Sequence, residues 1–566
     1  MTEREKYVIG VDLGSLSCRA IVANVRTGAI AGEAEYAYPH GVMDRSLPDG
    51  TPLPPSWALQ HPADYYNGLI ETIKGAIRKS GVKSGRIIAI GTDTTASTVI
   101  PVDKEMRPLC TYDKFSSQPH AWPKMWKHHA ASDEAEALTK AAKDANLPVL
   151  DRYGGRIGAE LMIPKVMQVC LESPEVYDAA ETFIELGDWI TSILCGAEVR
   201  SGSYLTCKSM WTPGEGYPPL ELFESIDQRL GDLPGEKLAY HGGITPRIVW
   251  PGERAGRLCG TLAHDLGLSE ETIVTASQMD AYAGLPGCGI YRGCELMMIV
   301  GTSTGYMLLD EKTAAVPGIC AAVKNSNLPG YTNYAAGQPG VGDMLGWFVN
   351  NCVPEEYAST ARGKGVDMHT YLSSLALSYL PGETGLIALD WWSGNKSCLN
   401  NSNLSGLILG MDLGTRPEHI YRALIEATAF GARKIIENFE ASGLDISSIV
   451  ACGGIAVKNP VLMQIYADVL GRSVSVSRCT QAAAMGSAIY AAAAAGAYDS
   501  IADAIKSMAD YDRLCYDPRG EMHEAYNALY AEYIELHDYF GSGGNRVMER
   551  LKENKKKYGE KHENLF

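Results

Sequence analysis

The chain has 566 residues, too many for one core at about 100–200 residues per domain, with 46% hydrophobic and 21% charged residues, as in a globular protein. Its 50 basic and 67 acidic residues give a formal charge of −17, which argues against nucleic-acid partners and anionic membranes but not against a phosphorylated small molecule. The charged start MTEREKYVIG shows no signal peptide, and the alanine-rich stretch GSAIYAAAAAGAY is too short and glycine-broken to span a bilayer, so a cytoplasmic protein without a membrane partner is expected.

In chain order, YVIGVDLGSLSCRAIVANV (7–25) reads as strand, Gly/Ser turn, strand. ADYYNGLIETIKGAIRKSG has helical spacing and stops at glycine, and the strand RIIAIGTDT follows. The strand TIVTAS ends just before Gln278-Met279-Asp280, where a helix of small residues begins. CELMMIVGTSTGYMLLDEKTAAV (294–316) repeats the layout of the first hairpin. Two related α/β domains or two unrelated hairpins explain that echo equally. PEHIYRALIEATAFGARKIIENFEASG is a long amphipathic helix closed by glycine, and SSIVACGGIA and NPVLMQIYADVLG continue as strand, GG turn and helix. The alternation predicts an α/β class with a boundary near residue 290, giving domains 1–290 and 291–566 with the active site in the crevice between them. The basic tail MERLKENKKKYGEKHENLF reads as a solvated helix end.

Four glycine-punctuated turns stand at strand ends: Asp12–Ser17, Gly91–Ser97, Gly301–Gly305 and Gly453–Gly454. Glycine lets backbone N–H groups approach a ligand, and successive amides form an anion-binding concavity. One such turn is weak evidence; four across both halves are more suggestive. No P-loop and no G-x-G-x-x-G opening a helix after the first strand is present, which counts against those nucleotide folds. Asp12 suits a magnesium ion shared with phosphates, since its bare carboxylate would repel them; a turn-capping Asp is the alternative. Asp280 reads either as an N-cap or as a general base for transfer to a hydroxyl. His128 and His129, adjacent on a helix, point in different directions and read as surface or packing residues rather than a metal pair. The fourteen cysteines show no C-x-x-C or zinc spacing, and Cys207, Cys294 and Cys452 are expected as buried thiols.

DLGSLS, QMDAYAG, VGTSTG and ACGGIAVKNP occur in the order found in the FGGY carbohydrate kinases, and the chain resembles that family from about residue 7 to about residue 552. LPDGTPLPPSWALQHPADY, RYGGRIGAELMIPKVMQ, LGDWITSILCG, ALDWWSGNKS and YIELHDYFGSG are most similar to its L-ribulokinase branch. The resemblance implies two actin/hexokinase-like (ribonuclease H-like) domains with a catalytic cleft, the first on the sugar side and the second on the nucleotide side. It implies ATP and Mg²⁺ as cofactors and phosphorylation of L-ribulose to L-ribulose 5-phosphate in arabinose catabolism. Another ketose or polyol is the alternative within the class, and an actin-like ATPase outside it. A homodimer is compatible with it.

By the same resemblance Asp280 is the base that deprotonates the sugar. Asp12, Gly14, Ser15 and Ser17 surround Mg²⁺ and the ATP phosphates, with Asp12 the metal ligand. Gly301, Thr302 and Ser303 form a second phosphate turn, and Gly453, Gly454 and Asn459 take the adenosine. Ala96, through its backbone, and Lys208 join Asp280 at the sugar. The branch usually reads Y-E-A-G-Q where this chain has NYAAGQPG, so the expected glutamate is Ala335; Pro339 replaces a small polar residue and Thr94 an aromatic. Losing that carboxylate removes charge-assisted hydrogen bonds of roughly 1.5–3 kcal/mol each, enough to shift the choice of sugar.

Overall fold

Residues 5–238 and 246–563 are described by the computed structural model. The first four residues of the charged start and the last three of the basic tail lie outside them. The chain forms two units. One comprises residues up to Tyr291 together with Val323–Asn333 and Gln481–Tyr511; the other comprises Arg292–Ala322, Tyr334–Thr480 and the residues from Asp512.

The first unit is built on strands β1 (Tyr7–Leu13), β2 (Ser17–Asn24), β3 (Ile30–Ala37), β4 (Ile87–Thr94), β5 (Arg254–Arg257), β6 (Ile273–Thr275) and β7 (Gln278–Met279). Their order is β3-β2-β1-β4-β6-β5, with β7 also on β4. β1 runs antiparallel to β2 but parallel to β4, and β6 and β7 run parallel to β4. β1 is apolar on both faces because both are covered, as parallel strands require. Ile9, Val11 and Leu13 join a core with Leu69 and Ile73 of helix Pro62–Ser80. The opposite face meets the alanine-rich helix Ala482–Ala494, which packs so closely that a Cβ on Gly10 would stand 1.8 Å from the Ala484 carbonyl oxygen. A separate apolar core gathers side chains between Met43 and Leu238, including helix Met162–Glu172.

The second sheet is built on β8 (Glu295–Val300), β9 (Thr304–Asp310), β10 (Ala321–Lys324), β11 (Thr332–Gln338), β12 (Ser448–Cys452), β13 (Val474–Ser477) and β14 (Arg513–Tyr516). They follow the order β10-β11-β9-β8-β12-β13-β14. Here too a hairpin (β8, β9) is followed by parallel neighbours (β12, β13) and an antiparallel edge strand (β14). The same sequence of pairings in both sheets makes the echo between the two hairpins a duplication of the fold. Helices Pro417–Ala441 and Pro460–Leu470 fill the core against β8 and β12.

Residues 481–511, which sequence order assigns to the second half, belong to the first unit. No helix among the described residues is long and apolar enough to cross a membrane. Cys207 and Cys452 are buried thiols as expected, while Cys294 is half-buried.

Candidate active site

Strand register brings acids together in the first unit. Asp12 on β1 pairs with Asp93 on β4, and Asp93 pairs with Gln278 on β7, two residues before Asp280. Asp93 falls inside the Gly91–Ser97 stretch that the sequence singles out, but only the β1–β4 register sets it beside Asp12. Asp93 is fully buried. Its Oδ2 accepts from Ser487 Oγ at 2.6 Å. Burial, reinforced by the charge of Asp12, pushes its carboxyl well above the usual range. Burial also raises Asp12, against a hydrogen bond with the Asp93 carboxyl and the charge of Arg19. Arg19 reaches Asp12 at 3.8 Å but is shared with Glu35 at 3.2 Å.

Asp280 opens helix Asp280–Gly287, whose N-cap is Met279, so it is not the cap residue itself. It is half-buried, and its Oδ1 accepts from the Ala281 N–H at 2.6 Å. Burial and the charge of Asp12 push it up to about 6, against the pull of Lys208. Lys208 is the last residue of helix Gly202–Lys208.

The first turn is tight: Gly14 N–H donates to the Ser17 carbonyl at 3.0 Å. Ser17 Oγ donates to Glu35 at 2.9 Å. Ser15 is held from two sides, its carbonyl by Gln60 Nε2 at 2.7 Å and its hydroxyl by the Trp126 indole at 3.0 Å. Thr94, buried, shares a 2.7 Å hydrogen bond with the Tyr204 hydroxyl, so it backs the neighbouring turn rather than facing solvent. His128 is fully buried, its Nε2–H donating to Gln168 Oε1 at 2.9 Å, a packing residue and not a surface one. Asp12 and Asp280, with Arg19 shared by Glu35 and Lys208 the other cation, form an acid-rich group whose donor chemistry suits a divalent cation.

In the second unit β8 and β12 are parallel neighbours, Ile299 opposite Cys452, so their turns leave the same sheet edge. Gly301 N–H donates to the Ser303 carbonyl at 3.0 Å, leaving Thr302 and Ser303 exposed. Gly453 takes φ 96° and a Cβ there would stand 2.6 Å from the Val300 carbonyl oxygen, so only glycine fits. It caps the short helix Gly454–Lys458. Asn459 caps helix Pro460–Leu470: its Oδ1 accepts from Leu462 N–H at 3.0 Å and its Nδ2 donates to Ser373 Oγ at 3.1 Å, engaging both ends of the amide within the protein. Ala335 lies in β11, 6% exposed, a methyl where the resemblance leads one to expect a carboxylate.

The chain belongs to the FGGY family of carbohydrate kinases, with which its duplicated α/β sheets and the Gly/Ser/Thr turns at their edges agree. Residues 7–212 match that family's N-terminal domain and residues 296–495 its C-terminal domain. Carbohydrate kinases of this family use ATP. The chain is 45% identical over 542 residues to the ribulokinase of Bacillus licheniformis, covering 95% of this chain and 97% of that protein. It is 43% identical over 553 residues to the ribulokinase of Geobacillus thermodenitrificans, covering 97% of both. A xylulose kinase from Rhodospirillum rubrum, 21% identical, shares the fold with a TM-score of 0.76 over 94% of this chain and 98% of its own.

Proposed function

We propose that this carbohydrate kinase transfers the γ-phosphoryl group of ATP to the terminal hydroxyl of a ketopentose, L-ribulose at O5. The observation that carries the reading is Asp280: a carboxyl at about 6, at a sheet end shared with Asp12 and close enough to Lys208 to feel its charge. Such a group is ionised at neutral pH and basic enough to accept a hydroxyl proton as the oxygen attacks phosphorus. The bond to ADP then breaks, and the proton stays on Asp280. Lys208, a three-donor cation, and the backbone at Ala96 orient the sugar.

Each unit carries one turn whose amides and hydroxyls suit phosphate oxygens, Gly14, Ser15 and Ser17 in the first and Gly301, Thr302 and Ser303 in the second. Ser17 must give up Glu35 to do so. Gly453 and Gly454 border the nucleoside, with Asn459 acting through the helix it caps. Asp12, with Asp93 behind it, would hold magnesium. When bound, the ion neutralises phosphate charge.

Ala335 supports a second reading, in which another ketose or a polyol is preferred, because the position offers no acceptor to sugar hydroxyls. One experiment decides between them: ADP release from ATP and Mg²⁺ against a panel of ketopentoses and polyols, with Asp280→Asn alongside. L-ribulose is expected to give the highest kcat/KM, and the variant to lose about 10²–10⁴-fold in kcat with ATP KM little changed. A different best sugar moves the assignment to that sugar. ATP hydrolysis that ignores sugar and survives Asp280→Asn would overturn the kinase reading.

A further inference from the structure

The peptide between Ser97 and Thr98 is gripped at both ends by buried charges. Ser97 has φ 59°, a left-handed backbone that disfavours any residue with a Cβ. Its carbonyl accepts from Lys165 Nζ at 2.6 Å, and the N–H at the other end of the same peptide, that of Thr98, donates to Glu185 Oε2 at 3.1 Å. Lys165, from helix Met162–Glu172, is 0% exposed and Glu185, ending strand Thr182–Glu185, is 1% exposed. Buried charges are costly unless hydrogen-bonded, and Lys165 answers that cost with two further carbonyls, Met125 at 2.8 Å and Lys124 at 3.4 Å. The Met125 carbonyl belongs to the peptide leading into Trp126, whose indole holds Ser15. One ammonium therefore fixes both the turn carrying Ala96 and the segment that reaches the first phosphate turn.

Burial drives Lys165 down to about 7 and Glu185 up to about 7, and each group's charge counters the other's shift. Neither is given a task by the chemistry above, and a pair of charges buried for packing alone would be replaceable by apolar residues.

We propose that Lys165 and Glu185 are positioning residues for the sugar: a cation on the carbonyl and a carboxylate on the N–H orient the 97–98 peptide and hold the turn at Ala96 in its sugar-binding shape. The inference rests on the assignment of the sugar to that turn. It predicts an effect on sugar and not on nucleotide. Lys165→Met and Glu185→Gln are compared with the wild type for the KM of L-ribulose, the KM of ATP and kcat, and for L-ribulose binding without nucleotide by calorimetry. Removing a hydrogen bond to a charged group is expected to raise the sugar KM and Kd about tenfold in Lys165→Met, and severalfold in Glu185→Gln, with the ATP KM within about twofold.

A sugar KM that moves no further than the ATP KM in a folded variant overturns the proposal. If Lys165→Met does not fold, Glu185→Gln decides by the same criterion, since it keeps the side-chain shape and an acceptor for Thr98. A wild-type protein that neither binds nor phosphorylates a ketopentose removes the sugar assignment itself, an outcome visible before any variant is made.

Discussion

The role proposed for Asp280 follows from its surroundings. Burial and the nearby Asp12 charge lift it to about 6, and Lys208 restrains the rise. A base must be ionised to act, so kcat/KM is expected to fall about tenfold per pH unit below roughly pH 6 and to level off above it. Lys208→Met removes the restraining cation, so its acid limb should move to higher pH, besides the loss of sugar binding; pH–rate profiles of both proteins read the shift. Asp12 and Asp280 were legible in the sequence because each sits at a strand end beside glycine or before a small-residue helix. Asp93, Lys165 and Glu185 were not. Their placement comes from burial and from register between strands and helices far apart in the chain, and no spacing rule encodes either. The two-sided hold on Ser15 by Gln60 and Trp126 was hidden for the same reason.

Element ends follow local chemistry, and they were the most readable part of the fold. Helix Pro62–Ser80 stops at Gly81 with φ 64°, and helix Pro460–Leu470 begins at the Asn459 cap and stops at Gly471 with φ 62°. Helix Pro417–Ala441 closes at Ser442, with the left-handed glycine one residue later. The strand expected over TIVTAS is shorter, Ile273–Thr275, because its pairing with β5 shifts register after Val274 and β7 takes up the pairing with β4 from Gln278. At Gly453 the turn geometry makes a sharper demand. Gly453→Ala sets a Cβ against the Val300 carbonyl oxygen in a left-handed backbone, so a loss of about 1–3 kcal/mol is expected in urea unfolding of the second unit. The same variant should raise the ATP KM while leaving the sugar KM in place, as measured by steady-state kinetics.

At the scale of the molecule, the two sheets repeat one pattern of pairings, and the paired hairpins in the sequence announced it. The return of residues 481–511 to the first unit was not announced. The helix Ala482–Ala494 carries alanines nearly all round and lacks a one-sided apolar stripe, so its sequence does not say which sheet it covers. Its partners are small as well: a Cβ on Gly91 would lie 2.1 Å from the Ser487 carbonyl oxygen, and one on Gly486 would lie 1.7 Å from that of Ala283. A chain ended at residue 480 should therefore lose cooperative unfolding of the first unit and with it sugar binding, seen by denaturant titration and calorimetry. The arrangement also sets a timetable for biosynthesis. About 190 residues separate Tyr291 from Gln481, which is roughly 10–40 s of translation at about 5–20 residues per second. For that interval the nascent first unit has a sheet face without its covering helix, and any ribosomal pause ahead of Gln481 lengthens its exposure.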